Sequence, residues 1–187
     1  MNQSNTRFGL TSCFDLYGKL KHDAKILLRE RVESEEEQLL EEYEAFNFFV
    51  TAWHLHYDWL GNKTIAKPTH AVHKMEKAHP ELKEVRHAIR DIANGSKHFT
   101  HKDDPKISVG AREISSWDSY LFGPQYPIET KTHHFLMYEF VFLVLEYFEW
   151  LFDDLAPDTI PTSILEKLKE AKELRIGRDK QAAGQQP

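Results

Sequence analysis

This sequence predicts an all-α fold, an antiparallel helical bundle of about five helices with a small strand-like or irregular insertion around residues 103–131. Three observations carry that expectation. Apolar residues recur at helical spacing in four stretches joined by mostly short links. A further stretch, FLMYEFVFLVLEYFEWLF from Phe135 to Phe152, is apolar on nearly all sides, the mark of a helix enclosed by its neighbours. Between residues 103 and 131 the pattern changes: KISVGAREI and SYLFG alternate like strands, and Gly110, Gly123, Pro124 and Pro127 punctuate them.

In the first helix, from about Ser12 to Arg31, Phe14, Tyr17, Leu20, Ala24, Leu27 and Leu28 share one apolar face. Ser34 followed by Glu37 is a capping-box pattern, and the acids crowding that first turn suit the positive end of a helix dipole. The second helix then runs toward Gly61, with Phe46, Phe49, Trp53, Tyr57 and Leu60 as its expected core face. Residues 62–79 form a connection, and Pro80 is well suited to open the third helix. The core helix spans about Thr132 to Leu155, with Glu139, Glu146, Glu149 and Asp153 close to one stripe, read as solvated or, alternatively, as a carboxylate metal site. A last amphipathic helix covers about Pro161 to Leu174. Residues 1–175 thus make one helical-bundle domain, and 176–187 read as a disordered tail.

Composition narrows the function classes. With 41% hydrophobic and 12% aromatic residues, the chain can build a ring-rich globular core. A net charge of −6 argues against a generally basic nucleic-acid binder, so any phosphate contact must be local. Cys13, the one cysteine, cannot form an internal disulfide, which fits a reducing compartment. The start MNQSNTRFGLTSC lacks a signal-peptide pattern, and the glutamates inside residues 135–152 would be costly in a bilayer. A cytoplasmic protein with no membrane partner is expected. Neither GxGxxG, GxxxxGK[ST] nor GxSxG occurs, which disfavours the chemistry of those loops.

The stretch RDIANGSKHF, residues 90–99, concentrates polar chemistry at the end of the third helix. At about 100° per residue, Leu82, Val85, Ile89, Ile92 and Ala93 face the core. His87, Arg90, Asn94 and His98 then fall on the opposite side as a slanting stripe, with Asp91 beside it. An ordinary polar helix face has the same look, with Asn94-Gly95 as its C-terminal turn and Lys97 and His98 near the negative dipole end. The sharper reading rests on residue type: arginine holds phosphate through paired hydrogen bonds, and histidine moves a proton near neutral pH.

A helical bundle bearing such an Arg…His strip resembles the HEPN superfamily (higher eukaryotes and prokaryotes nucleotide-binding domain). Many of its members are metal-independent ribonucleases of toxin–antitoxin and phage-defence systems that act as dimers. The resemblance implies a homodimer, RNA as substrate, a protein partner such as an antitoxin, and no cofactor or metal. It assigns the site to Arg90, Asp91, Asn94, Lys97 and His98. On that assignment His98 would take a proton from an RNA 2′-hydroxyl, Arg90 and Lys97 would stabilise the phosphate, and Asn94 would orient either. One departure stands out. Seven residues separate Arg90 from His98, where the family pattern has four to six, and a straight helix would hold them about 12 Å apart along its axis.

Two other readings stay open. The same polar strip, without catalysis, could bind a protein partner as an interaction module. A metal-dependent helical-bundle enzyme would draw on HLHYDW, in which His54 and Asp58 share a helix face while His56 points away. Two ligands do not make a site, and a third would have to come from His70, His73, His79, His133 or His134.

Overall fold

A computed structural model describes residues 9–29, 34–60, 79–95, 108–110, 125–153 and 160–184. Among these residues it contains five helices, α1 (Cys13–Leu27), α2 (Glu35–His54), α3 (Pro80–Gly95), α4 (Met137–Phe152) and α5 (Thr162–Gly184). Three short strands, β1 (Ser108–Val109), β2 (Pro127–Glu129) and β3 (His134–Leu136), form one antiparallel sheet in that order. The fold is mostly α with a small strand insertion, as the sequence predicts. SYLFG and the connection 62–78 lie outside the described residues.

Each helix start has a local cause. Ser12 Oγ accepts from Asp15 N at 3.2 Å while the Asp15 carboxylate accepts from Ser12 N at 2.9 Å, a reciprocal cap on α1. Ser34 Oγ accepts from Glu37 N at 3.2 Å and so opens α2 where the sequence places it. Pro80 is the first residue of α3, where its missing N–H costs no helical hydrogen bond.

The core helix begins later than about Thr132, because His134–Leu136 pair with β2 in the register Ile128↔Phe135 and Glu129↔His134. Chain direction then changes at Met137, where the first-turn donors are met one by one. Leu136 N donates to Glu139 Oε2 at 3.0 Å, Met137 N to the Tyr126 carbonyl at 2.9 Å, and Tyr138 N to Gln125 Oε1 at 3.2 Å. Glu139 is therefore a cap, Glu146 pairs with Lys167, and Glu149 and Asp153 are exposed.

α4 is the centre of the core. Phe140, Val141, Leu143, Val144, Phe148 and Leu151 have no exposed surface. Leu16, Leu20, Ala24 and Leu27 of α1 and Phe48, Phe49 and Ala52 of α2 join the same cluster. The aromatic series of α2 divides differently from the expected face. Phe49 is buried, but Phe46 and Trp53 are half-buried and Tyr57 is exposed, because Ala45, Phe48 and Ala52 occupy the side turned to the core. Past His54 the helix widens into a π-helical turn over Leu55–Trp59, which buries His56 against the Tyr147 hydroxyl at 3.0 Å.

α5 runs to Gly184, well past the expected end near Leu174. Its first half buries Ile164, Leu168 and Ala171. The second half has no buried side chain and is tied down by Glu129, which accepts from Arg175 Nη1 at 2.7 Å and Arg178 Nη1 at 3.2 Å. Burial raises the Glu129 pKa, but the hydrogen bond and charge of Arg175, then Arg178 and His134, outweigh it and leave it lowered. Replacing Glu129 with alanine is expected to loosen α5 from about Arg175 onward and cost about 1 kcal/mol, a small figure because the group is partly exposed. Limited proteolysis checks this: new cleavage after Arg175 or Arg178 is expected in the variant and not in the wild type.

Candidate functional site

α3 carries the residues singled out in the sequence. Its inner face, Leu82, Val85, Ala88, Ile89 and Ala93, is buried and packs on α2. The same 3.6-residue period gathers Lys83, Arg86, His87, Arg90 and Asn94 on the opposite side. Lys83 is exposed and the other four are half-buried. The inner face fixes the helix, and the helix fixes the spacing of the strip.

Within the strip, Arg90 Nε donates to Asp91 Oδ1 at 2.7 Å, with the two side chains 34% and 16% exposed. Asp91 thus acts on Arg90: it orients the guanidinium by its Nε edge. Arginine's remaining N–H donors lie on its two terminal nitrogens, the pair that engages phosphate in bidentate contacts. The neighbouring imidazole reports the local field. Burial first, then the charges of Arg90, Arg86 and Lys83, hold His87 below its ordinary pKa, with Asp91 opposing them. At neutral pH His87 is therefore an uncharged imidazole among three cations, able to accept a proton or a hydrogen bond. The sequence places His87 on the stripe; it gives no sign that its protonation is altered, because that depends on burial.

α3 is helical through Gly95, so Asn94 keeps its position one turn beyond Arg90. Lys97 and His98 lie outside the described residues. Of the five proposed site residues, Arg90 and Asp91 meet directly, and Asn94 shares the strip with Arg90.

On the flank of the same helix stands an arrangement that sequence reasoning missed. Glu84 Oε2 is 3.0 Å from His133 Nδ1, and Glu84 Oε1 accepts from the Thr130 hydroxyl at 3.1 Å and from that of Thr132. Thr130 Oγ1 in turn accepts from His133 N at 2.8 Å and Thr132 N at 3.2 Å. These contacts bolt the turn between β2 and β3 onto α3. They span 46 and 48 residues of sequence, which no local pattern could reveal.

Four of the histidines considered as metal ligands are engaged separately. His54 Nδ1 meets Asp58 Oδ2 across one turn while His56 is buried on another side, as the helical geometry predicts. His133 turns to Glu84, and the next residue, His134, turns to Glu129 at 3.4 Å and Arg178 at 3.3 Å. Among the described residues, no three His, Cys, Asp or Glu side chains form a group able to hold a metal ion. His70 and His73 lie outside the described residues. Among the described residues no helix is long and apolar enough to cross a membrane. A groove of about 280 Å³ between α4 and α5, floored by Phe135, Leu143 and Ala171, shares no residue with the α3 strip.

Comparison with protein-family models, with curated proteins and with solved structures returns no match.

Proposed function

We propose that this protein is a HEPN-like, RNA-directed effector of bacterial or phage conflict that cleaves RNA without a metal, working as a cytoplasmic homodimer with an antitoxin as protein partner. The observation that supports this reading best is the cationic strip of α3, where Lys83, Arg86 and Arg90 surround the lowered imidazole of His87. On a chain of net charge −6 such a concentration of cations is local, as phosphate binding without general nucleic-acid affinity requires.

The chemistry divides among the strip's residues. Arg90, oriented by Asp91, and Lys97 stabilise negative charge on the scissile phosphate; Asn94 holds a phosphate oxygen or the histidine; His98 accepts the 2′-hydroxyl proton. The 2′-oxygen attacks the adjacent phosphorus, the bond to the 5′-oxygen breaks, and that oxygen takes a proton from water. The products are a 2′,3′-cyclic phosphate and a free 5′-hydroxyl. The nucleophile belongs to the substrate, so proximity replaces metal activation.

The binding-module reading draws on one observation: Asp91 already engages the Nε edge of Arg90, as in an ion pair that only shapes a surface. Incubation of the purified protein with total RNA and with tRNA in EDTA separates the two. The ribonuclease reading expects fragments ending in cyclic phosphate, lost in His98→Ala and in Arg90→Ala and only partly kept in Arg90→Lys, which has the charge without the fork. No cleavage at high protein concentration overturns it and leaves the binding module.

A further inference from the structure

The outer side of α2 carries an apolar seam of which only Trp53 packs against the core cluster. Leu39, Tyr43, Phe46, Val50, Trp53 and Tyr57 follow one another at steps of four, three, four, three and four, the spacing of a two-helix seam. Leu39, Tyr43 and Tyr57 are 48%, 57% and 65% exposed, and the three between are half-buried. A single exposed leucine or tyrosine needs no explanation, but six apolar positions in heptad register do. The seam continues into the π-helical turn, where the Tyr57 ring stacks on Trp53 at 4.9 Å with the planes 16° apart.

We infer that a second copy of this chain covers the seam, α2 against α2, in antiparallel alignment. Two properties of the helix select that occupant. The steps read the same in both directions, so a reversed copy sets Leu39 against Tyr57, Tyr43 against Trp53 and Phe46 against Val50, around a two-fold axis level with Phe48. Charge selects the direction. All six glutamates of α2 (Glu35, Glu36, Glu37, Glu41, Glu42 and Glu44) precede Ala45, and residues 45–57 contain no acid. Parallel pairing would lay the exposed Glu35, Glu36 and Glu42 beside their own copies. Antiparallel pairing separates the glutamates from their own copies: Glu42 comes level with His54 of the second copy, and Glu35 and Glu36 fall level with Gly61 and Leu60, beyond Asp58.

This inference takes the homodimer of the proposed function and gives it a surface. The experiment is mass measurement by light scattering, combined with oxidative cross-linking of two variants that each add one cysteine. Cys13 is buried and does not compete. The full chain is expected at twice 22.0 kDa, and Tyr43→Glu/Tyr57→Glu at 22.0 kDa with an unchanged circular dichroism spectrum, since both positions are exposed. Asn47→Cys, beside the axis, is expected to cross-link to itself. Leu39→Cys, whose copies lie about 27 Å apart in the antiparallel pair, is not. A monomeric wild type overturns the inference, as does a dimer that survives the double substitution or cross-links through Leu39→Cys. The two readings fail separately: a wild-type monomer that cleaves RNA removes the seam and keeps the ribonuclease, and a cross-linked dimer without cleavage does the reverse.

Discussion

Glu84→Gln is expected to lower stability at neutral pH by about 2 kcal/mol and to flatten its acid dependence. In the wild type, burial raises the Glu84 pKa, but hydrogen bonds from His133 and Thr132, the charge of His133 and the Thr130 hydroxyl outweigh it and bring it from 4.5 down to about 2. A carboxyl whose folded pKa lies below its unfolded one stabilises the fold at every pH above 4.5, and that stabilisation disappears as pH falls toward 2. A shift of that size corresponds to about 3 kcal/mol. The side chain is 29% exposed, so screening reduces the figure to about 2. The variant keeps the shape and one acceptor but cannot ionise. Urea titrations at pH 7, 4.5 and 3 measure the difference: the gap between wild type and variant is expected to narrow by about half between pH 4.5 and 3, and a gap unchanged with pH would show that Glu84 is not held as an anion. The consequence reaches α3, because the turn that Glu84 secures buttresses the helix bearing Arg90 and Asn94.

The parts of the fold legible in the sequence are those with a local cause. Ser34 before Glu37, Pro80 before a regular apolar period, and an eighteen-residue apolar run interrupted by a few glutamates each depend on residues within a turn or two of one another. The places where the sequence misleads depend on distant partners. Thr132–Leu136 look like the start of the core helix because their side chains are apolar or helix-compatible, but Phe135 finds Ile128 across a hairpin and the strand wins. α5 seems to stop at Leu174 because its apolar period stops there. It continues because Glu129, 46 residues earlier, binds Arg175.

The candidate site divides along the same line. A helical wheel is enough to set Arg90 and Asn94 on one face, since it uses only the spacing of residues on α3. The pairing of Arg90 with Asp91 escapes it, because neighbours in sequence diverge by about 100° on a helix and meet only when a long arginine folds back. The state of His87 escapes it too, being set first by burial. Glu84 and His133 are unremarkable in isolation and become a unit only when β2 and β3 return to α3.

Tyr138→Phe is expected to cost about 1–3 kcal/mol, the range for leaving a buried acceptor without its donor. Tyr138, in the first turn of α4, donates its hydroxyl to Glu41 Oε1 of α2 at 2.8 Å, with the residues 6% and 1% exposed. Phenylalanine fills the same space, so no cavity forms and the loss reports on the polar contact. Tyr126 provides the control, since its hydroxyl donates to Glu42 Oε1 at the same 2.8 Å but on the exposed side of α2. Water replaces that donor, so Tyr126→Phe is expected to cost under about 1 kcal/mol. A double-mutant cycle with Glu41→Met completes the argument: with both polar partners gone, the double variant is expected to be more stable than the sum of the single losses predicts. Strict additivity, or equal losses for Tyr138→Phe and Tyr126→Phe, would mean that burial adds nothing to the Glu41 contact. If burial does add to it, the acidic half of α2 is anchored to α4 from within, and Leu39 and Tyr43 are held at a fixed height on the outer face.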